Sequence, residues 1–198
     1  MSDVHEQLEY SEHAKHAAHA SKQIALLIAI LALFLAVSEM LGKSANTEAI
    51  TLNIKVSDTW NFFQAKTIRR TVVEAAADEM KVGAVAVTNA ATKAAMNDQI
   101  DKWQKTAARY RSEPDTREGT TELSERAKEA EHERDTALAR YHNYEFASAA
   151  FQIGIVLCSA AVITGMFLLA WAAGGVAVIG LVFITFGLFA PHLLPLGH

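Results

Sequence analysis

Residues 146–190 read FASAAFQIGIVLCSAAVITGMFLLAWAAGGVAVIGLVFITFGLFA, with no Asp, Glu, Lys or Arg among them. One helical crossing of a bilayer takes about 20 apolar residues at ~1.5 Å rise each, so the run is about two crossings long. Ala172, Ala173, Gly174 and Gly175 stand where a tight turn would divide it. The expectation is a membrane hairpin, with helices over 146–171 and 174–190 and a tail over 191–198. Tyr141, Tyr144, Phe146 and Phe151 mark the entry of the first arm and Trp171 its exit, the places where aromatic rings favour a membrane–water boundary. Small pairs at Gly154/Cys158, Ala161/Gly165 and Gly180/Gly187 would let these helices approach closely.

A third crossing is predicted over 23–43. Ile24 to Ser38 is uncharged and almost wholly aliphatic. Its flanking Lys22 and Lys43 would stand ~32 Å apart on one helix. The segment before it is acidic and no small-x-small cleavage site follows, so the expectation is a retained anchor rather than a cleaved leader. Glu39 precedes Lys43 by four residues, the favourable order for an ion pair at the membrane boundary. The alternative for Glu39 is an intramembrane carboxylate lining an ion path.

Upstream lies a polar arm, residues 1–22, carrying His5, His13, His16 and His19 among Glu6, Glu9 and Glu12. At about 100° per residue the histidines share an arc of ~120° with Glu9 and Glu12. The i,i+4 pairs Glu9/His13 and Glu12/His16 suit a divalent transition metal or a proton sensor. The plainer reading is a solvated helical arm.

Half of the chain is apolar and one fifth charged, an average that mixes very apolar segments with very charged ones. Only three prolines occur and β-branched alternation is scarce, which predicts an all-α membrane protein with a water-facing helical hairpin between its first and second crossings. A net charge of −4 is too small to argue for a strongly charged partner, and the charge-balanced middle region lacks the clustered basic stripe that nucleic acid needs. Cys158, the lone cysteine, cannot form an intrachain disulfide and reads as a small packing residue.

The middle region, residues 44–145, carries the most specific words: Ser57-Asp58-Thr59-Trp60-Asn61-Phe62-Phe63-Gln64-Ala65-Lys66, followed by Ile68-Arg69-Arg70. Together with Ser38-Glu39-Met40-Leu41-Gly42-Lys43-Ser44, they resemble a bacterial membrane-protein family known as domain of unknown function 4337. The resemblance implies one anchor, a charged helical middle and a C-terminal hairpin in a bacterial inner membrane. It implies no activity.

Read physically, Trp60, Phe62, Phe63, Lys66, Arg69 and Arg70 form the candidate interaction face. On a helix Val56, Trp60 and Phe63 share one side, while Ile50, Ile54, Ile68, Val72 and Ala75 share the other, so both sides want cover. A strand over Ile50–Val56 is the local alternative. Gly83 is expected to divide the region into helices over about 47–81 and 85–111, with a return over about 120–145. The turn 112–119 carries Pro114, Asp115 and Gly119, with Thr121 as the cap of the next helix. Met96, Ile100, Trp103, Ala107 and Tyr110 recur at coiled-coil spacing, as do Leu123, Ala127, Ala130, Arg134, Ala137 and Tyr141. This predicts an antiparallel stalk of the second and third helices, with the first lying along the membrane or across the stalk base. An alanine-rich pair buries little area, so further helices or a homo-oligomer should join it.

No phosphate loop, nucleophile elbow, metalloprotease pair or enclosed carboxylate pair is present. The expected function is a non-catalytic helical scaffold in the lipid bilayer, self-associating or holding an unidentified protein partner. The alternatives are an oligomeric channel or transporter subunit using Glu39, and sensing through the His/Glu arm. Of 18 basic residues only Lys15 and Lys22 precede the first crossing, which places the middle region in the cytoplasm.

Overall fold

The computed structural model describes the backbone of residues 2–193 and the side chains of residues 22–193. Among the described residues every regular element is a helix: α1 Ser2–Ala86, α2 Ala90–Arg111, α3 Thr120–Thr164 and α4 Phe167–Phe189. Residues 50–56 are helical, not a strand. α1, α3 and α4 each contain a stretch long and apolar enough to cross a membrane. The chain divides into two compact units, one of Met1–Glu48 with Thr136–His198 and one of Ala49–Asp135.

α1 merges the expected anchor and first middle helix into one element, and it runs through Gly83. Its buried positions recur every seven residues. One series is Ile24, Leu31, Ser38 and Ala45; the other includes Gly42, Ala49, Val56, Ala77 and Ala84. A repeat averaging 3.5 residues stays close enough to the helical 3.6 to keep one face inward. A single interior glycine costs only about 1 kcal/mol, too little to stop a helix that packs on both sides of it. The break comes at Val87-Thr88-Asn89, where Asn89 accepts a hydrogen bond from the Thr92 N–H (3.1 Å) and caps α2.

In the second unit the contacts fix the direction of each segment. Gly83 lies beside Met96, Lys66 beneath Tyr110, Arg70 at Thr120, Trp60 at Glu131 and Lys55 at Glu133. From Gly83 down to Lys55 the partner number climbs overall from 96 to 133, with Arg70 and Lys66 both at the junction of α2 and α3, where their partners span 110 to 120. α2 and the first part of α3 therefore follow one another along α1, both antiparallel to it. This corrects the expected stalk of α2 against α3. At ~1.5 Å per residue, α1 offers ~57 Å of buried face from Ala49 to Ala86, while α2 spans only ~33 Å. The rest is covered by α3, and Ile100, Ala107, Leu123, Ala127 and Ala130 are the buried apolar residues of the two short segments.

The first unit packs α1, α3 and α4 around Ile24, Leu31, Ala147, Phe151, Cys158, Ala161 and Ala173. Here the expected hairpin turn is overturned. α3 stops at Thr164, and Gly165 takes φ 71° while its N–H donates to the Ala161 carbonyl (2.9 Å). That is a left-handed helix stop, a conformation that costs glycine nothing. Ala172 to Gly175 continue inside α4, because Ala173 is fully buried and its carbonyl lies 3.6 Å from where a Cβ on Gly154 would sit. Trp171, expected at the end of the second crossing, stands exposed in the first turns of α4.

Glycines receive aromatic rings in this unit. Phe151 lies over Gly180 and Tyr144 over Gly187, and Phe151 also stacks on Phe34 at 5.7 Å. Ser38 donates to the Tyr144 carbonyl (2.9 Å), and Asn143 donates to the Ala139 and Pro191 carbonyls (2.8 and 3.2 Å). Glu39 accepts from Gln152 of α3 (3.4 Å) rather than pairing with Lys43, because both side chains emerge on the same outer side of the α1–α3 pair.

Candidate interaction site: the Lys66 clasp

Lys66 and Arg70 occupy inward positions of the α1 repeat where an apolar residue is the norm. The reason is what they face. Between α2 and α3 the partner is not a helix but the connection 112–119, which presents acids and free backbone groups. Lys66 is buried, its side chain only 7% exposed, and its Nζ lies 3.2 Å from Glu113 and 3.5 Å from Glu118. The ammonium also sits 5.4 Å from the Phe62 ring centroid and 5.9 Å from that of Tyr110. A buried cation is tolerable only when charge and ring faces replace its hydration, and both are supplied.

The connection is tied at both ends. Arg70 donates to Thr120 (3.2 Å), and the Thr120 and Thr121 hydroxyls each donate to the Arg111 carbonyl (3.2 and 3.1 Å). Thr121 is therefore no cap; α3 starts from Gly119, whose carbonyl accepts from the Leu123 N–H (2.8 Å). Glu122 closes the loop by accepting from the Ser112 hydroxyl (2.6 Å) and the Glu113 N–H (3.3 Å). A side chain at Gly119 would meet Glu122 and come within 2.6 Å of the Ser112 Cα, so the close approach demands glycine. The hydrogen bond from Lys66 is the chief reason that the Glu113 carboxyl titrates below its ordinary value. For Glu122 the chief reason is the Ser112 hydroxyl.

The remaining residues of the expected face serve the same packing. Trp60 donates from Nε1 to Glu131 (2.9 Å) and meets Phe63 edge-on at 5.2 Å. Phe62 is part of the ring cover over Lys66. Arg69 is exposed and stands apart from the clasp. Glu39 belongs to the other unit. The proposed metal ligands Glu9, Glu12, His13 and His16 lie outside the residues whose side chains are described. Elsewhere among the described residues, no group of three or more His, Cys, Asp or Glu side chains is placed to hold a metal ion.

Sequence reasoning missed Tyr110, Ser112, Glu113, Glu118, Thr120 and Glu122. One signal pointed to them: the turn carries Glu113 and Glu118, whereas the basic cluster Lys66, Arg69 and Arg70 has only Glu74 within four residues, 3.7 Å from Arg70. Beside the clasp a shallow groove of about 370 Å³ opens between α1 and α2, lined by Glu74, Asp78, Lys81, Gln104 and Arg111 among others. Its charges are mixed, and it holds neither a nucleophile nor an enclosed acid–base pair.

A family model described as "Domain of unknown function (DUF4337)" matches residues 20–190. No curated protein and no solved structure matches the chain.

Proposed function

Because this chain belongs to the DUF4337 family, whose description assigns no activity, we propose from its own residues that it is a membrane-anchored, non-catalytic helical scaffold that acts through self-association. The observation that carries this reading is how the polar groups of the second unit are used. Lys66, Arg70, Trp60, Glu113, Thr120 and Glu122 are all engaged in contacts between segments of the unit, and the groove lined by Glu74, Asp78 and Lys81 lacks the groups that bond making needs. Rigidity, not chemistry, is what such contacts supply.

Anchoring rests on the first unit. Leu26, Leu33, Ile153, Val156, Ile163, Phe167, Leu168, Trp171 and Phe189 are exposed there. So wide an apolar surface calls for hydrocarbon. In a bacterial cytoplasmic membrane, three crossings place the two ends of the chain on opposite sides, with the second unit in the cytoplasm by the distribution of Lys and Arg. The channel reading needs several copies, since Glu39 and Gln152 face outward from one chain.

The test is membrane extraction followed by native mass measurement in mild detergent. Retention in the pellet at alkaline pH, and a particle weighing a whole multiple of the chain, is expected. A chain released without detergent, or a particle of one chain, refutes the reading. Conductance in reconstituted bilayers that vanishes in Glu39→Gln replaces it with the pore.

A further inference from the structure

α1 carries a second seven-residue repeat on the side away from α2 and α3, and none of the described residues covers it. In the second unit Ile54, Asn61, Ile68, Ala75 and Val82 form one series, with Asp58, Ala65, Val72, Glu79 and Ala86 interleaved three and four residues away, and all ten are exposed. Ile54, Ile68, Val72 and Val82 are each more than half exposed. A water-facing helix gains nothing from showing these groups to solvent, whereas a repeat averaging 3.5 residues is the seam that another helix fits.

We propose that a second copy of this chain occupies this face, α1 against α1 and pointing the same way. The inference rests on the scaffold reading, since two copies anchored in one membrane share a direction. The composition of the seam selects the occupant. The first series is β-branched or small and contains a single Asn, and β-branched residues at that position with one buried Asn specify a parallel two-stranded pairing in a fixed register. Asn61 of one copy meets Asn61 of the partner subunit, amide to amide. No basic residue lies in the seam, so an acidic partner finds no counter-charge there. Four large side chains at roughly 100 Å² and three alanines at roughly 50 Å² give about 550 Å² per copy, hence about 1,100 Å² for the pair, near the lower bound for a specific interface. Asp58 and Glu79 are the two acids in the interleaved series, Asp58 toward its start and Glu79 between Val72 and Ala86. Each faces its own copy across the pair, which weakens the pairing and keeps it reversible.

The experiment uses the full-length chain with Cys158→Ala, in membrane vesicles, with a short thiol cross-linker. Asn61→Cys and Ile68→Cys should each join to themselves, and Lys105→Cys on the outer side of α2 should not. Ile68→Asp should lower the dimer fraction several-fold at unchanged helix content, and Glu79→Leu should raise it several-fold. If neither seam cysteine joins while the native particle still contains several copies, this surface is wrong and the scaffold survives. A single-chain particle removes both. A Glu79→Leu chain that pairs no better than the parent, with Asn61→Cys joining Glu79→Cys in mixed samples, overturns the parallel register.

Discussion

The Tyr144 ring fills the space that a side chain at Gly187 would need: a Cβ built there falls 2.6 Å from Cε1. The same relation holds between Phe151 and Gly180, at 2.9 Å. In both places α3 supplies a large ring and α4 an absent side chain, so the two helices close on each other without a void.

Gly187→Ala and Gly180→Ala should therefore each destabilise the detergent-solubilised protein by about 1–3 kcal/mol, the range for overpacking a filled core. Gly174→Ala, where a Cβ meets open space, should be neutral or slightly stabilising. Denaturant unfolding followed by Trp fluorescence separates the two classes; equal effects at all three positions would refute the packing.

Gly165→Ala should cost about 1–2 kcal/mol, because φ 71° places a side chain in the left-handed region. Gly175→Ala should not. The opposite ranking would return the hairpin turn to residues 172–175.

Lys66→Ala should destabilise by about 3 kcal/mol, since it removes the ammonium from Glu113 and Glu118 and empties the space under Tyr110. Lys66→Met keeps the stem and should cost less. The double change Lys66→Met/Glu113→Gln should recover part of that loss. Thermal unfolding monitored by circular dichroism reads all three, and strict additivity of the double change would deny the pair.

Acid should loosen the clasp. Glu113 and Glu122 titrate below the ordinary value of 4.5 in the folded chain. Their contribution is thus fully present above that value and is lost as pH falls through the lowered folded values. The melting temperature of the parent should drop faster below about pH 4.5 than that of Glu113→Gln. A parallel decline of both would show that the carboxylate carries no acid-linked stability.

Much of the architecture was legible in the residues. Apolar runs bounded by Lys22, Lys43 and Glu145 marked which helices could cross a bilayer, and the scarcity of prolines and of β-branched alternation marked an all-helical chain. The words around Trp60 pointed to the family whose model matches residues 20–190. Glycine was the poor guide. Gly83 and Gly174-Gly175 read as breaks yet lie inside helices, whereas Gly165, read only as a packing residue, ends one. A glycine's local cost of about 1 kcal/mol is the same in each place, and only neighbouring helices decide whether packing outweighs it.

Sequence by itself determined which segments are helical and which are apolar enough to cross a membrane, because hydrogen bonding within a helix and the cost of hydrating apolar side chains act over a few residues at a time. Tertiary structure alone decided that α2 and α3 lie in succession along α1, and that Lys66 meets Glu113 and Glu118. Direction and partner depend on contacts between residues some 50 positions apart, whose energy exists only once both faces have been brought together.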